Sequence, residues 1–175
     1  LAWEMRTEAE CLAAGREPGT MQDNELWPET VIEVQPTGFD TGDIVWKWDT
    51  WDHLIQNHDP TLPNYGDPDD HPGRMNINYD TGLYDGDWLH ANSLHYNAEL
   101  DQIMINLHRL GEFWVIDHDT TTEEAAGPAG DILYRWGNPT VYSRNAAAED
   151  RVFWGQHDAR WIPEGYPGAG NILVF

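Results

Sequence analysis

The stretches GDIVWKW at residues 42–48 and GDILYRW at residues 130–136 are two copies of one pattern. In each, a Gly-Asp turn leads into a run of β-branched and aromatic residues of the kind that favours a strand. The segments ahead of them also correspond, VIEV at 31–34 and VIDH at 115–118. A second match joins HANSLHY, which starts at His90, to HDARWIP, which starts at His157; each is followed by an apolar run, QIMINL (102–107) and NILVF (171–175). The two matches recur at different spacings, which reconcile if the first copy carries an insertion within residues 49–89.

Assembled, the unit reads as a histidine-containing first strand, an IMIN-type second, FWVID (113–117) third and GDILYRW fourth. This is a four-stranded meander. Tandem meanders predict an all-β fold, a β-propeller of four-stranded blades, of which this chain would supply two to three. In such a fold the first strand of each blade lines a central channel, so His90 and His157 are expected to converge on one channel mouth. Most of the ten tryptophans are expected to pack one unit on the next. Residues 26–175 form this repeating portion. Residues 1–25 precede it as a weakly patterned segment, with a helix predicted over Met5–Gly15 from its Ala, Leu and Glu content and the terminal glycine. The 49–89 insertion, dense in Asp, Pro, Gly and Asn and carrying His53, His58 and His71, reads as a long ordered loop, a common place for function. The chain opens on Leu1 and closes on an apolar β-type run, and both ends read as cut from something longer.

Charge narrows the partners. The 175 residues carry 31 acidic and 9 basic side chains, for a net charge of −22. Such a field repels nucleic acid and anionic lipid surfaces, so neither is an expected partner. The single cysteine, Cys11, excludes an internal disulfide and a cysteine zinc cluster. No apolar run approaches membrane-spanning length, so no membrane insertion is expected.

The ordered set WDHLIQ, DWLHANS, EFWVIDH, GDILYRWGNP, QHDARWI and PGAGNILVF resembles the bacterial arylsulfotransferases, from about Leu26 to the last residue. The resemblance implies a six-bladed propeller, periplasmic or extracellular, that moves a sulfuryl group from an aryl sulfate to a phenol without a nucleotide donor. No cofactor and no metal are implied, and the partners would be these two small molecules. Carried over by motif, His157 of QHDARWI would be the nucleophile that becomes sulfated, and His90 of DWLH would bind the sulfuryl oxygens. His53 of WDHLIQ would be a third histidine at the site. The family's arginine before the Glu of the third strand falls on His108, with Arg109 one place on. If both residues lie on a strand they face apart, so Arg109 is not expected to substitute for the arginine. His108, Arg109 and Arg160 join His53 as expected substrate-binding groups.

The chemistry suits these residues. Sulfuryl transfer, like phosphoryl transfer, asks the protein to position groups and to stabilise charge on equatorial oxygens. A neutral imidazole is nucleophilic near neutral pH and a protonated one donates to oxyanions. Replacing a permanently charged, forked arginine with histidine at position 108 weakens that stabilisation. A propeller that binds or scaffolds without transferring is therefore the alternative expectation. His95 and His118 lack motif support and read as structural. DPDDHPG (67–73) has metal-binding residue types, although acidic turns of this kind are usually only solvated. The serines lack a nucleophile-elbow context, and neither a phosphate-binding glycine loop nor a zinc-protease motif is present.

Overall fold

In the computed structural model, which describes residues 1–21, 23–82 and 86–175, the paired runs of the sequence repeat form paired strands. Two short strands come first, β1 (Ala2–Trp3) and β2 (Arg6–Thr7). Helix α1 (Glu8–Ala13) starts later than the predicted Met5 because Thr7 caps it. The Thr7 hydroxyl accepts from the Glu10 amide, and the Glu10 carboxylate accepts from the Thr7 amide at 2.8 Å. After β3 (Glu25–Leu26), the VIEV segment lies in β4 (Glu29–Pro36) and the first GDI repeat in β5 (Gly42–Asp49). β1, β4 and β5 make one antiparallel sheet, and β2 pairs with β3.

Residues 49–89 are mostly loop among those described, broken by two short 3-10 turns and by the parallel pair β6 (Leu54–Ile55) and β7 (Met75–Asn76). Residues 83–85 of that stretch lie outside the described residues. The meander follows, as β8 (Ala91–Asn97), β9 (Gln102–Leu107), β10 (Glu112–Asp117), a short helix α2 (Thr122–Ala125) and β11 (Tyr134–Trp136). Its sheet order, β11-β10-β9-β8, is that of the predicted unit. The second copy supplies only the hairpin β12 (Arg160–Trp161) and β13 (Ile172–Leu173).

Alternation along β9 and β10 explains the layering. Ile103, Ile105 and Leu107 share a face with Trp114 and Ile116 and pack with Val31, Trp46 and Trp48 of the three-stranded sheet. On the opposite face Met104, Phe113 and Val115 pack with Ala159, Trp161 and Ile172 of the final hairpin segment. The central sheet is therefore covered on both sides, which is why its two inner strands read as nearly unbroken apolar runs. Gly130 allows one tight contact: a Cβ there would sit 1.9 Å from the Ala125 carbonyl oxygen, and the Gly130 carbonyl itself accepts from the Trp48 indole at 2.7 Å.

The expected all-β propeller is corrected by this arrangement. Helix accounts for 15% of residues against 32% strand, which makes the chain mixed α/β, and no sheet closes or curls strongly. The physical reason lies in the strand inventory. The four-stranded meander is completed once, while the other copies contribute a three-stranded sheet and a two-stranded hairpin. A short capped helix, α2, with Thr121 and Glu124 as its capping box, fills the connection between β10 and β11. Among the described residues, no helix is long and apolar enough to cross a membrane.

One buried ion pair fastens β10 to β11. Arg135 Nη2 donates to Glu112 Oε2 at 2.5 Å with side-chain exposures of 4% and 0%, and the Trp114 indole donates to the same carboxylate oxygen at 2.9 Å. The guanidinium also lies over the Tyr142 ring, 4.5 Å from its centroid. Removing the cation leaves an uncompensated buried carboxylate. Arg135→Ala is expected to lower the unfolding free energy in urea by about 3–5 kcal/mol; a loss below about 1 kcal/mol, the range of an exposed pair, would contradict this assignment.

Candidate active site

Three histidines from separate parts of the sequence meet at one edge of the central sheet. His90 stands just before β8, His108 in the turn after β9, and His157 in the irregular segment before β12. The His90 and His108 ring centroids are 5.3 Å apart, and those of His108 and His157 are 5.1 Å apart. His108 is the middle member and is half-buried, whereas His90 and His157 are exposed. His108 stands between His90 and His157, with no propeller channel for them to line.

Amide side chains build this edge. Gln156, which immediately precedes His157, is buried and donates through Nε2 to the Leu107 carbonyl at 3.0 Å and to the Glu112 carbonyl at 2.9 Å. Its own backbone carbonyl accepts from Asn92 Nδ2 at 3.0 Å and from Asn106 Nδ2 at 2.9 Å. The segment carrying His157 is therefore pinned to both ends of the β9–β10 turn and to β8. Gly155 has φ +75°, and a Cβ there would come within 3.0 Å of the His108 ring. Glycine lets the backbone turn and lets His108 approach.

Hydrogen bonds orient the imidazoles. His157 Nδ1 lies 3.1 Å from the Gly155 carbonyl oxygen, which only accepts; the bond assigns the proton to Nδ1 and the lone pair to Nε2. His90 Nδ1 bonds the Asp87 carboxylate, which leaves its Nε2 outside that bond. Asp87 also meets Arg109, whose Nη2 is 3.4 Å from the same carboxylate oxygen and whose Nη1 donates to the Asp87 carbonyl. Arg109 and His108 lie in a turn and not on a strand, so the alternation expected to separate Arg109 from the site does not govern it. The guanidinium reaches the site through Asp87. His108 Nδ1 is buried with no hydrogen-bond partner among the described residues.

The other expected residues stand apart. His53 is fully buried, with Nδ1 2.9 Å from Asp131 Oδ1 and Nε2 2.9 Å from the Ala125 carbonyl oxygen, and its ring stacks on Trp48 at 5.2 Å. Both of its nitrogens are thereby engaged in the core, away from the three-histidine edge. Arg160 pairs with Asp158, two residues before it, on an exposed surface. In the acidic loop, Asp67 and Asp69 are paired to Arg144. Among the described residues, no group of three or more His, Cys, Asp or Glu side chains is arranged to hold a metal ion. A separate open cleft of about 460 Å³ lies between β8 and the final hairpin, lined by His95, Tyr96, Glu99, Trp161 and Glu164, and none of the three clustered histidines lines it.

Sequence reasoning missed Gln156, Asn92, Asn106 and Asp87. All four lie inside or beside the quoted motifs, as Q of QHDARWI, N of HANS, N of IMIN and D of DWLH. The missed signal was the neighbour of each histidine rather than the histidine itself.

His108 is held below its ordinary value of 6.5, first by burial and then by the neighbouring His90 and His157 imidazoles. The sign of its effect on stability follows. Its contribution is intact above the ordinary value and is lost as pH falls through it toward the folded one, because the unfolded chain takes up the proton first. His108→Gln is expected to lose less stability than the wild type between about pH 7 and about pH 5, measured as urea midpoints; an equal loss in both would contradict the assignment.

A family model described as Arylsulfotransferase (ASST) matches residues 12–175. Among curated proteins and among solved structures no significant match is found. With nearly the whole chain covered, the three-histidine edge lies inside the matched region, and the chain belongs to the arylsulfotransferase family.

Proposed function

We propose that the chain transfers a sulfuryl group from an aryl sulfate to a phenol, with His157 as the group that is transiently sulfated. The observation that carries this reading is the meeting of His90, His108 and His157 within ring-to-ring distances of 5.1 and 5.3 Å. Family membership supports a transferase activity in general terms, and the finer chemistry rests on these three side chains.

In the first half-reaction His157 Nε2 attacks the sulfur as the sulfur–oxygen bond to the aryl group breaks, and a phenolate leaves. In the second, the oxygen of the acceptor phenol attacks the same sulfur and gives up its proton to solvent water as the bond between sulfur and Nε2 breaks, which returns His157 to the neutral imidazole. The Nδ1–H bond to the Gly155 carbonyl supports this role, because it keeps the lone pair on Nε2 and stabilises the cationic ring of the intermediate. His90 and His108 flank the transferred group and stabilise charge on its oxygens. We place the reaction in the periplasm or outside the cell, following what the family resemblance implies.

A second reading has its own observation. Burial and two imidazole neighbours push the His108 imidazole below its ordinary value, which works against the charged oxyanion contact that an arginine would make permanent. On this reading the site binds aryl sulfates without turning them over.

Incubation with para-nitrophenyl sulfate and phenol separates the two. The proposal expects release of para-nitrophenolate, sulfate on the peptide that contains His157, and a fall of at least about a thousandfold in His157→Ala. His108→Arg is expected to raise the rate. Release that persists unchanged in His157→Ala overturns the nucleophile assignment, and retention of the aryl sulfate with no release selects the binding reading.

A further inference from the structure

Glu29 is a buried carboxyl group that the proposed reaction does not use. It begins β4 and is 2% exposed. Its Oε1 accepts from the Ala91 amide at 2.7 Å, while its Oε2 is buried with no partner among the described residues. Ala91 directly follows His90, and His90 has φ +53°, a left-handed conformation that costs a non-glycine residue energy. The backbone of His90 is thus held from two sides. The His108 amide donates to the His90 carbonyl at 3.1 Å, and Glu29 takes the next amide along.

The charged groups acting on Glu29 come from the same edge. Asp87, which orients His90, disfavours its ionisation, and Arg109 favours it, as does the Ala91 amide. On its own sheet, β1 places Trp3 opposite Glu29, and β5 ends at Asp49, whose carboxylate is engaged by Arg6 and Lys47. Burial outweighs the favourable contacts and pushes the carboxyl up to about 8. At neutral pH the group is therefore mostly a neutral acid.

We propose that Glu29 is a positioning residue for His90, anchoring the backbone beside it through the Ala91 amide, and that its ionisation weakens anion binding at the three-histidine edge. One effect acts in that direction: a new buried negative charge next to Asp87 repels an incoming sulfate group. The proposal rests on the anion-binding role assigned to this edge above.

The test uses inorganic sulfate as the probe and nuclear magnetic resonance of the chain with carbon-labelled glutamate. In the absence of sulfate, the Glu29 carboxyl and Ala91 amide signals are expected to titrate together, with a midpoint near 8. Sulfate affinity is expected to fall about tenfold across that midpoint in the wild type, as one added like charge near the site can cause, and to lose this step in Glu29→Gln, which keeps the amide acceptor. Glu29→Ala, which loses the acceptor, is expected to bind sulfate more weakly throughout.

A Glu29 carboxyl that titrates in the ordinary carboxylate range, or the same alkaline step in Glu29→Gln as in the wild type, overturns the proposal. Should Glu29→Gln fail to fold, the wild-type titrations decide: a sulfate step whose midpoint differs from that of the Glu29 carboxyl overturns it. If the chain binds no sulfate at any pH, it is the anion-binding reading that fails, and the proposal about anion binding fails with it. The joint Glu29 and Ala91 titration still shows whether the anchor exists.

Discussion

The side-chain amide of Gln156 is what joins the His157 segment to the turn that carries His108. The segment around it has no regular structure, and His157 exchanges its backbone bonds with Phe175, its amide donating to the Phe175 carbonyl at 2.6 Å and its carbonyl accepting from the Phe175 amide at 3.0 Å. Gln156 ties that backbone pair to the central sheet through its bonds to the carbonyls of Leu107 and Glu112, which bracket the turn that carries His108. Asn92 and Asn106 complete the pin by donating to the Gln156 carbonyl. Each of these bonds contributes only about 1 kcal/mol net, but a buried carbonyl left without its donor costs about 1–3 kcal/mol. The arrangement is therefore specified more by the penalty for losing it than by its gross strength.

The same edge resolves a difficulty set by composition. A chain of net charge −22 repels anions at long range, yet the proposed substrate is one. Locally the balance differs, because Asp87 is shared between His90 and Arg109, and Glu29 is kept mostly neutral by burial. The carboxyl groups nearest the histidines are thus paired or protonated, and the imidazoles face an approaching anion with less opposing charge than the composition suggests. Further inside the sheet, Arg135 neutralises Glu112. In both places a carboxyl group is kept from acting as a free charge.

The legible part of the sequence was its periodicity. The matched GDI runs paired with VIEV and VIDH, and the meander formed in the predicted order, because alternation and turn residues act locally. The propeller did not follow, since closing a ring depends on strand complement and on contacts that one meander does not specify. Helix α2 was missed although Thr121 and Glu124 spell a capping box, a signal hidden in a segment that reads as a turn. At the site, the histidine motifs found His90, His108 and His157, but they also nominated His53, which the structure buries against Trp48 with both nitrogens bonded. Motif position alone does not distinguish an imidazole that faces solvent from one that ties a loop into the core.

The central claim is that three separate stretches of chain make one anion site. Its most direct test is a titration of nitrogen-labelled imidazoles with inorganic sulfate near neutral pH. The account predicts that the signals of His90, His108 and His157 move together with one dissociation constant, while those of His53 stay fixed, and that Gln156→Leu breaks this common response. Independent responses of the three histidines, or an unchanged joint response in Gln156→Leu, would contradict it.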